Sequence, residues 1–156
     1  MTQHQASIRW SRRPEEPFAD LKYSRAHVWQ FDGGATVAAS SAPGSVPLPY
    51  SKAENVDPEE AFLAALSSCH MLTFLYLAAK QQFVVDSYED TAIGVMARNA
   101  NGRLGISRVT LQPCIAFGGA KRPDDEAVRR LHHLAHEECY IANSVSCEVQ
   151  IAGSWK

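Results

Sequence analysis

Residues 57–79, DPEEAFLAALSSCHMLTFLYLAA, constrain the fold more than any other stretch. From Ala61 to Ala79 no Gly or Pro interrupts, and strong helix formers dominate, so the spacing predicts one long helix. Asp57 suits the N-cap and Pro58 the first helical position, while Glu59 and Glu60 favour the positive end of the helix dipole. The segment is apolar nearly all round. One stripe of packing does not satisfy it, so the helix is expected to be central and covered on most sides. A membrane span needs about 20 apolar residues. Ser67, Ser68, His70 and Thr73 interrupt this run and Lys80-Gln81-Gln82 stops it, so a buried helix is the better reading. Cys69 lies near its middle. On spacing alone it reads as an inert core cysteine, because free Cys packs as a small hydrophobe.

A chain of 156 residues suits one domain, taken as 1–156, with 1–20 an N-terminal arm and 41–56 a Pro-rich loop. Apolar residues at 46% and charged residues at 21% are ordinary for a soluble globular protein. A net charge of −2 gives no reason to expect nucleic acid or an anionic membrane as partner. The beginning, MTQHQASIRWSRR, has no apolar core of a signal peptide, so a cytoplasmic location is expected. Four cysteines (Cys69, Cys114, Cys139, Cys147) in such a chain do not make a disulfide framework.

Ahead of the helix, residues 6–11 read as a short edge strand and 21–31, LKYSRAHVWQF, as a strand. Asp32-Gly33-Gly34 signals a hairpin turn, and ATVAAS is its second arm. The prolines of 41–56 exclude a regular element. After the helix, 83–99 reads as a long strand with room for a bend, Asn99–Gly102 as a turn and 105–117 as its partner. Pro123 followed by Asp124, Asp125 and Glu126 opens a second helix, with Val128, Leu131, Leu134 and Ala135 on one face and Cys139 continuing it. Residues 144–151 form a last strand. The order is β-β-β-α-β-β-α-β: an α+β fold, mainly antiparallel, with helices segregated to one side. In so short a chain the remaining cover for the first helix is expected from a second copy.

Cys69 and Cys139 both sit on apolar helix faces, where burial raises a thiol pKa. Cys69 is about three turns from its helix N-terminus, too far for the dipole to act strongly. A reactive Cys69 therefore needs a cation from elsewhere. Arg9, Arg12, Arg13 and Arg25 are the candidates, an Arg being better than a Lys because it stays charged and bridges two acceptors.

VDPEEAFLAALSSC and the later AHEECYIANSV resemble the two cysteine segments of the OsmC/Ohr family of thiol peroxidases, and the element order matches too. The resemblance covers residues 20–151. It implies that Cys69 is the peroxidatic cysteine, Cys139 the resolving cysteine, Glu59 the active-site carboxylate and Arg25 the active-site arginine, with Arg12 or Arg13 as alternatives. The implied reaction reduces organic hydroperoxides through a Cys69 sulfenic acid and a Cys69–Cys139 disulfide. No bound cofactor is implied; an external dithiol such as a lipoyl group is the reductant. Glu59 and Cys69 stand ten residues apart, about 15 Å along a straight helix. Glu59 is therefore expected to reach the Cys69 site of a partner copy in a homodimer. The chain departs from the pattern at His70 and Tyr140, which follow the two cysteines, and in a longer Pro-rich region before the helix.

Other constellations stay open. His132, His136 and Cys139 in HHLAHEEC have metal-ligand spacing on one helix, although surface histidines on the polar side of a helix are commoner. His70 is badly placed as a base for its neighbour Cys69, since adjacent helical residues point about 100° apart. It is expected to be a hydrogen-bonded core or interface histidine, with His136, one turn before Cys139, also in a supporting role. Cys114 and Cys147 are read as structural. A non-catalytic stress-response or apolar-ligand module on the same fold is the alternative to an enzyme.

Overall fold

The computed structural model describes residues 2–156. The chain forms two compact units, one ending at Ala61 and one from Phe62 to Lys156.

The first unit is a three-stranded antiparallel sheet of β1 (Ala6–Arg9), β2 (His27–Phe31) and β3 (Thr36–Ala39), in that order. The predicted hairpin is present, with Phe31 and Ala35 closing the turn and Gly34 at φ +88°, a conformation glycine adopts without steric cost. The strand expected over 21–31 begins only at His27. Residues 21–26 stay in a loop in which Leu21 has φ +65° and the Arg25 N–H donates to the Tyr50 carbonyl at 2.7 Å. Residues 41–56 form no regular element, as their prolines require, and Val56 returns to bridge Ala39 in parallel.

Helix α1 (Pro58–Lys80) starts at the predicted place and runs unbroken. Its cap is reciprocal: Glu60 N–H donates to Asp57 Oδ1 at 2.8 Å, and Asp57 N–H donates to Glu60 Oε2 at 3.1 Å. α1 has the length and composition of a membrane span, as core helices also do. Here it buries Leu66, His70, Phe74, Leu77 and Ala78. Cover on most sides is not found within one chain, because Leu72 and Tyr76 remain 60% and 58% exposed.

The strands expected over 83–99 and 105–117 are each divided. β4 (Val84–Glu89) passes to β5 (Ile93–Arg98) through Asp90, and β6 (Leu104–Leu111) passes to β7 (Cys114–Gly118) at Pro113, which has no N–H for a ladder. The last strand, expected from 144, begins at Glu148 as β8 (Glu148–Ile151), after a 3-10 turn (Ala142–Ser144). An unforeseen β9 (Ser154–Trp155) follows it. Three bent segments thus serve two sheets, β4-β7-β9 and β5-β6-β8. The hairpin pairings are antiparallel, while β8 and β9 add in parallel. At the third bend Gly153 lies so close to Pro113 that a Cβ would stand 2.8 Å from its ring and its carbonyl.

Helix α2 (Asp125–Glu138) opens as predicted, with Asp124 Oδ1 accepting from Ala127 N–H at 2.8 Å. Two cores result in this unit. Phe74, Leu77, Ile115, Phe117, Val128 and Leu131 build one, and Leu66, Val109, Leu111 and Cys139 the other.

Candidate functional site

Cys139 ends α2 and is fully buried. The chain turns sharply after it: the Cys139 carbonyl accepts from Asn143 N–H at 3.0 Å and from Asn143 Nδ2 at 3.1 Å. Ala142 N–H points at Cys139 Sγ, 3.4 Å away. Cys69, half-buried on α1, packs against the same cluster, so the two cysteines matched in sequence meet. Both are free thiols. Burial, then the side-chain contact with Cys69, pushes the Cys139 thiol up to about 11, against the pull of the Ala142 and Ile141 N–H groups. Cys147, just before β8, is half-buried against this cluster as well, and its participation was not legible from a predicted strand position. Cys114 is exposed.

On the adjoining flank of α1, His70 is buried and its Nε2 lies 3.1 Å from His132 Nδ1 on α2. The hydrogen-bonded core histidine expected at 70 is therefore present. The surface position expected for His132 is not: it is buried under Phe74, with ring centroids 4.5 Å apart, and beside Trp155. Desolvation by burial lowers both imidazoles to about 4; for His70 the neighbouring His132 and His136 add to this and Asp90 opposes it. His70 Nδ1, His132 Nε2 and His136 Nδ1 are buried without a hydrogen-bond partner among the described residues. No group of three or more His, Cys, Asp or Glu side chains is arranged to hold a metal among the described residues.

The charged candidates belong to the first unit. Arg25 donates through Nη1 to the carbonyls of Leu21, at 2.7 Å, and Tyr23, and its guanidinium stands 3.6 Å over the Tyr23 ring. No carboxylate lies within 4.0 Å of Arg25 among the described residues, Glu59 included. Arg12 is committed to its own turn, donating to the carbonyls of Arg13, Pro14 and Glu16 at 2.6 to 2.9 Å. Glu59 lies in the first turn of α1 and Cys69 ten residues on along the same unbroken helix.

The fold is that of a small α+β family built around a cysteine-bearing helix. Residues 51–152 match the family described as OsmC-like protein. The chain belongs to the OsmC-like family. It is 49% identical to an OsmC-like protein of unknown function from Vibrio cholerae, with TM-score 0.96, covering 99% of this chain and 100% of that one. Organic hydroperoxide resistance proteins share the fold at lower identity. The one from Elizabethkingia anophelis is 16% identical (TM-score 0.70; 100% and 96% of the two chains covered). OhrB of Bacillus subtilis is 19% identical (TM-score 0.64; 99% and 98% covered). No curated protein sequence matches the chain.

Proposed function

We propose that this chain is a cysteine-based peroxidase that reduces organic hydroperoxides. The observation that carries the reading is the meeting of half-buried Cys69 with buried Cys139 in one apolar cluster. Burial holds the Cys139 thiol protonated at neutral pH, which leaves the first attack to Cys69. The Cys69 thiolate attacks the distal peroxide oxygen; the O–O bond breaks and the alkoxide leaves, taking a proton to become the alcohol. Cys69 is now a sulfenic acid. Cys139 sulfur attacks it, the S–O bond breaks, and the hydroxide leaves as water with the Cys139 proton. A dithiol, a lipoyl group being one example, reduces the resulting disulfide by exchange.

The names of the hydroperoxide resistance proteins that share the fold favour this substrate class. Arg25 and Glu59 keep the roles of cation and carboxylate only as the family resemblance implies them; the proposal stands on the two cysteines. The exposed Leu72 and Tyr76 on α1 favour a homodimer built on that helix. The test is consumption of cumene or tert-butyl hydroperoxide with a dithiol, by wild type and by Cys69→Ser. Turnover lost in Cys69→Ser supports the reading. Equal rates in both proteins, or no turnover of either peroxide with several dithiols, would sink it.

A further inference from the structure

Three of the four cysteines border one apolar cluster, and the reaction proposed above uses two of them. Cys139 is the inner one, 0% exposed, while Cys69 on α1 and Cys147 ahead of β8 are both half-buried. The fold brings Cys147 inward through β8. Glu148 and Gln150 are exposed and hydrogen-bonded to each other at 2.7 Å. Val149 and Ile151 alternate with them and face the cluster. Pairing with β6 sets Val149 opposite Val109 and Ile151 opposite Leu111, both buried members of it. Cys147, immediately before the strand, packs against the same cluster. The chain that links it to Cys139 is folded back. Asn143 donates through N–H and Nδ2 to the Cys139 carbonyl, and Ser144 donates through N–H to the Ile141 carbonyl at 3.0 Å and through Oγ to the Tyr140 carbonyl at 2.7 Å. The two ends of this turn thus return to one place.

Access separates the three sulfurs. Peroxide must reach Cys69. Once Cys69 and Cys139 are joined, the buried Cys139 sulfur is closed to a dithiol in solution, and attack at Cys69 uses the opening through which peroxide arrives. Thiol exchange asks only for a thiolate within reach of a disulfide sulfur. Of the two remaining cysteines, Cys114 is exposed on β7 and Cys147 is on the cluster.

We propose, resting on the peroxidase reading, that Cys147 is a third redox cysteine, which takes the Cys139 sulfur over from Cys69 and presents it to the reductant. The Cys147 sulfur attacks the Cys139 sulfur, the Cys69–Cys139 bond breaks and the Cys139–Cys147 bond forms. The proton that Cys147 loses is regained by Cys69, with no net oxidation. A dithiol then attacks half-exposed Cys147, and Cys139 leaves and takes a proton. The second sulfur of the dithiol displaces Cys147 as the dithiol closes its own disulfide. Cys69 is thereby free for a second peroxide before any reductant arrives.

The test is the pairing and the stoichiometry in full-length reduced protein, with cumene hydroperoxide added in successive single equivalents and no dithiol. No Lys or Arg lies between Leu131 and Lys156, so trypsin leaves Cys139 and Cys147 in one peptide and Cys69 in another, Ala53–Lys80. After one equivalent and alkylation of free thiols, Cys69 is expected to be alkylated and the 131–156 peptide to be two hydrogens lighter. A second equivalent should be consumed and leave a sulfenic acid at Cys69 that dimedone labels. Cys147→Ser should consume one equivalent only and yield the two peptides cross-linked. Cross-linked peptides in wild type, with consumption ending at one equivalent, would overturn the relay and leave the peroxidase reading standing. The lighter 131–156 peptide forming equally in Cys69→Ser would also overturn it, by showing oxidation that bypasses Cys69. No peroxide consumed and no disulfide formed would sink both readings. The wild-type peptide map decides even where Cys147→Ser fails to fold.

Discussion

His70 Nε2 and His132 Nδ1 lie 3.1 Å apart inside the helical core, with their ring planes 6° from parallel. One N–H donates to the other ring's lone pair, so the pair is neutral as it stands. Adding a proton places a charge where burial opposes it, and both groups are lowered from 6.5 to about 4. Between those values the unfolded chain binds more protons than the folded one. Stability is therefore full above pH 6.5 and falls as pH drops toward 4, by an amount on the order of a few kcal/mol. Urea midpoints from pH 8 to pH 4 measure this. Replacing both rings by Leu should flatten the profile over that window; an unchanged slope would refute the assignment.

Treatment with one equivalent of organic hydroperoxide is expected to lower the intact mass of the reduced protein by two hydrogens. The loss should vanish in Cys139→Ser, which should instead retain a sulfenic acid that dimedone labels at Cys69. A two-hydrogen loss that persists in Cys139→Ser but disappears in Cys147→Ser would transfer the resolving role, since Cys147 borders the same cluster.

Asp57 and Glu60 bind one another's backbone N–H at the start of α1. Asp57→Ala removes the cap and should cost about 1 kcal/mol in urea unfolding, whereas Asp57→Asn should cost little. Equal losses in both variants would show that the side-chain oxygen is not what matters there.

Gly153→Ala forces a methyl against Pro113, which a flexible side chain does not relieve because part of the obstacle is backbone. A loss of roughly 1–3 kcal/mol is expected. A stability unchanged from wild type would mean that the bend between β8 and β9 relaxes freely.

The elements that local chemistry dictates were legible in the chain. Asp57-Pro58 and Pro123-Asp124 mark both helix starts, and Asp32-Gly33-Gly34 and Asn99–Gly102 mark both hairpins. The meeting of Cys69 with Cys139 followed from family resemblance, whereas composition alone favoured inert core residues. The bend within 83–99 was foreseen, whereas the division of 105–117 was hidden because a bend between sheets leaves the alternation on either side intact; only Pro113 signals it. His132 was misplaced because histidine reads as polar in a helical pattern, and its burial depends on a partner 62 positions earlier, His70.

Asp90 stands where β4 gives way to β5, and its carboxylate serves two neighbours. Oδ1 accepts from Gln112 N–H at 2.6 Å, and Oδ2 accepts from the Ser67 hydroxyl on α1. A helix can roll on an apolar surface at little cost, but each residue of roll turns its side chains by about 100°. The Ser67–Asp90 bond is compatible with one angular setting of the helix, the setting in which position 69 faces Cys139 and position 70 faces His132. One carboxylate on a strand bend thus ties down the stretch of α1 that carries both the sulfur and the nitrogen contacts, beside the apolar packing of Leu66, Phe74 and Leu77.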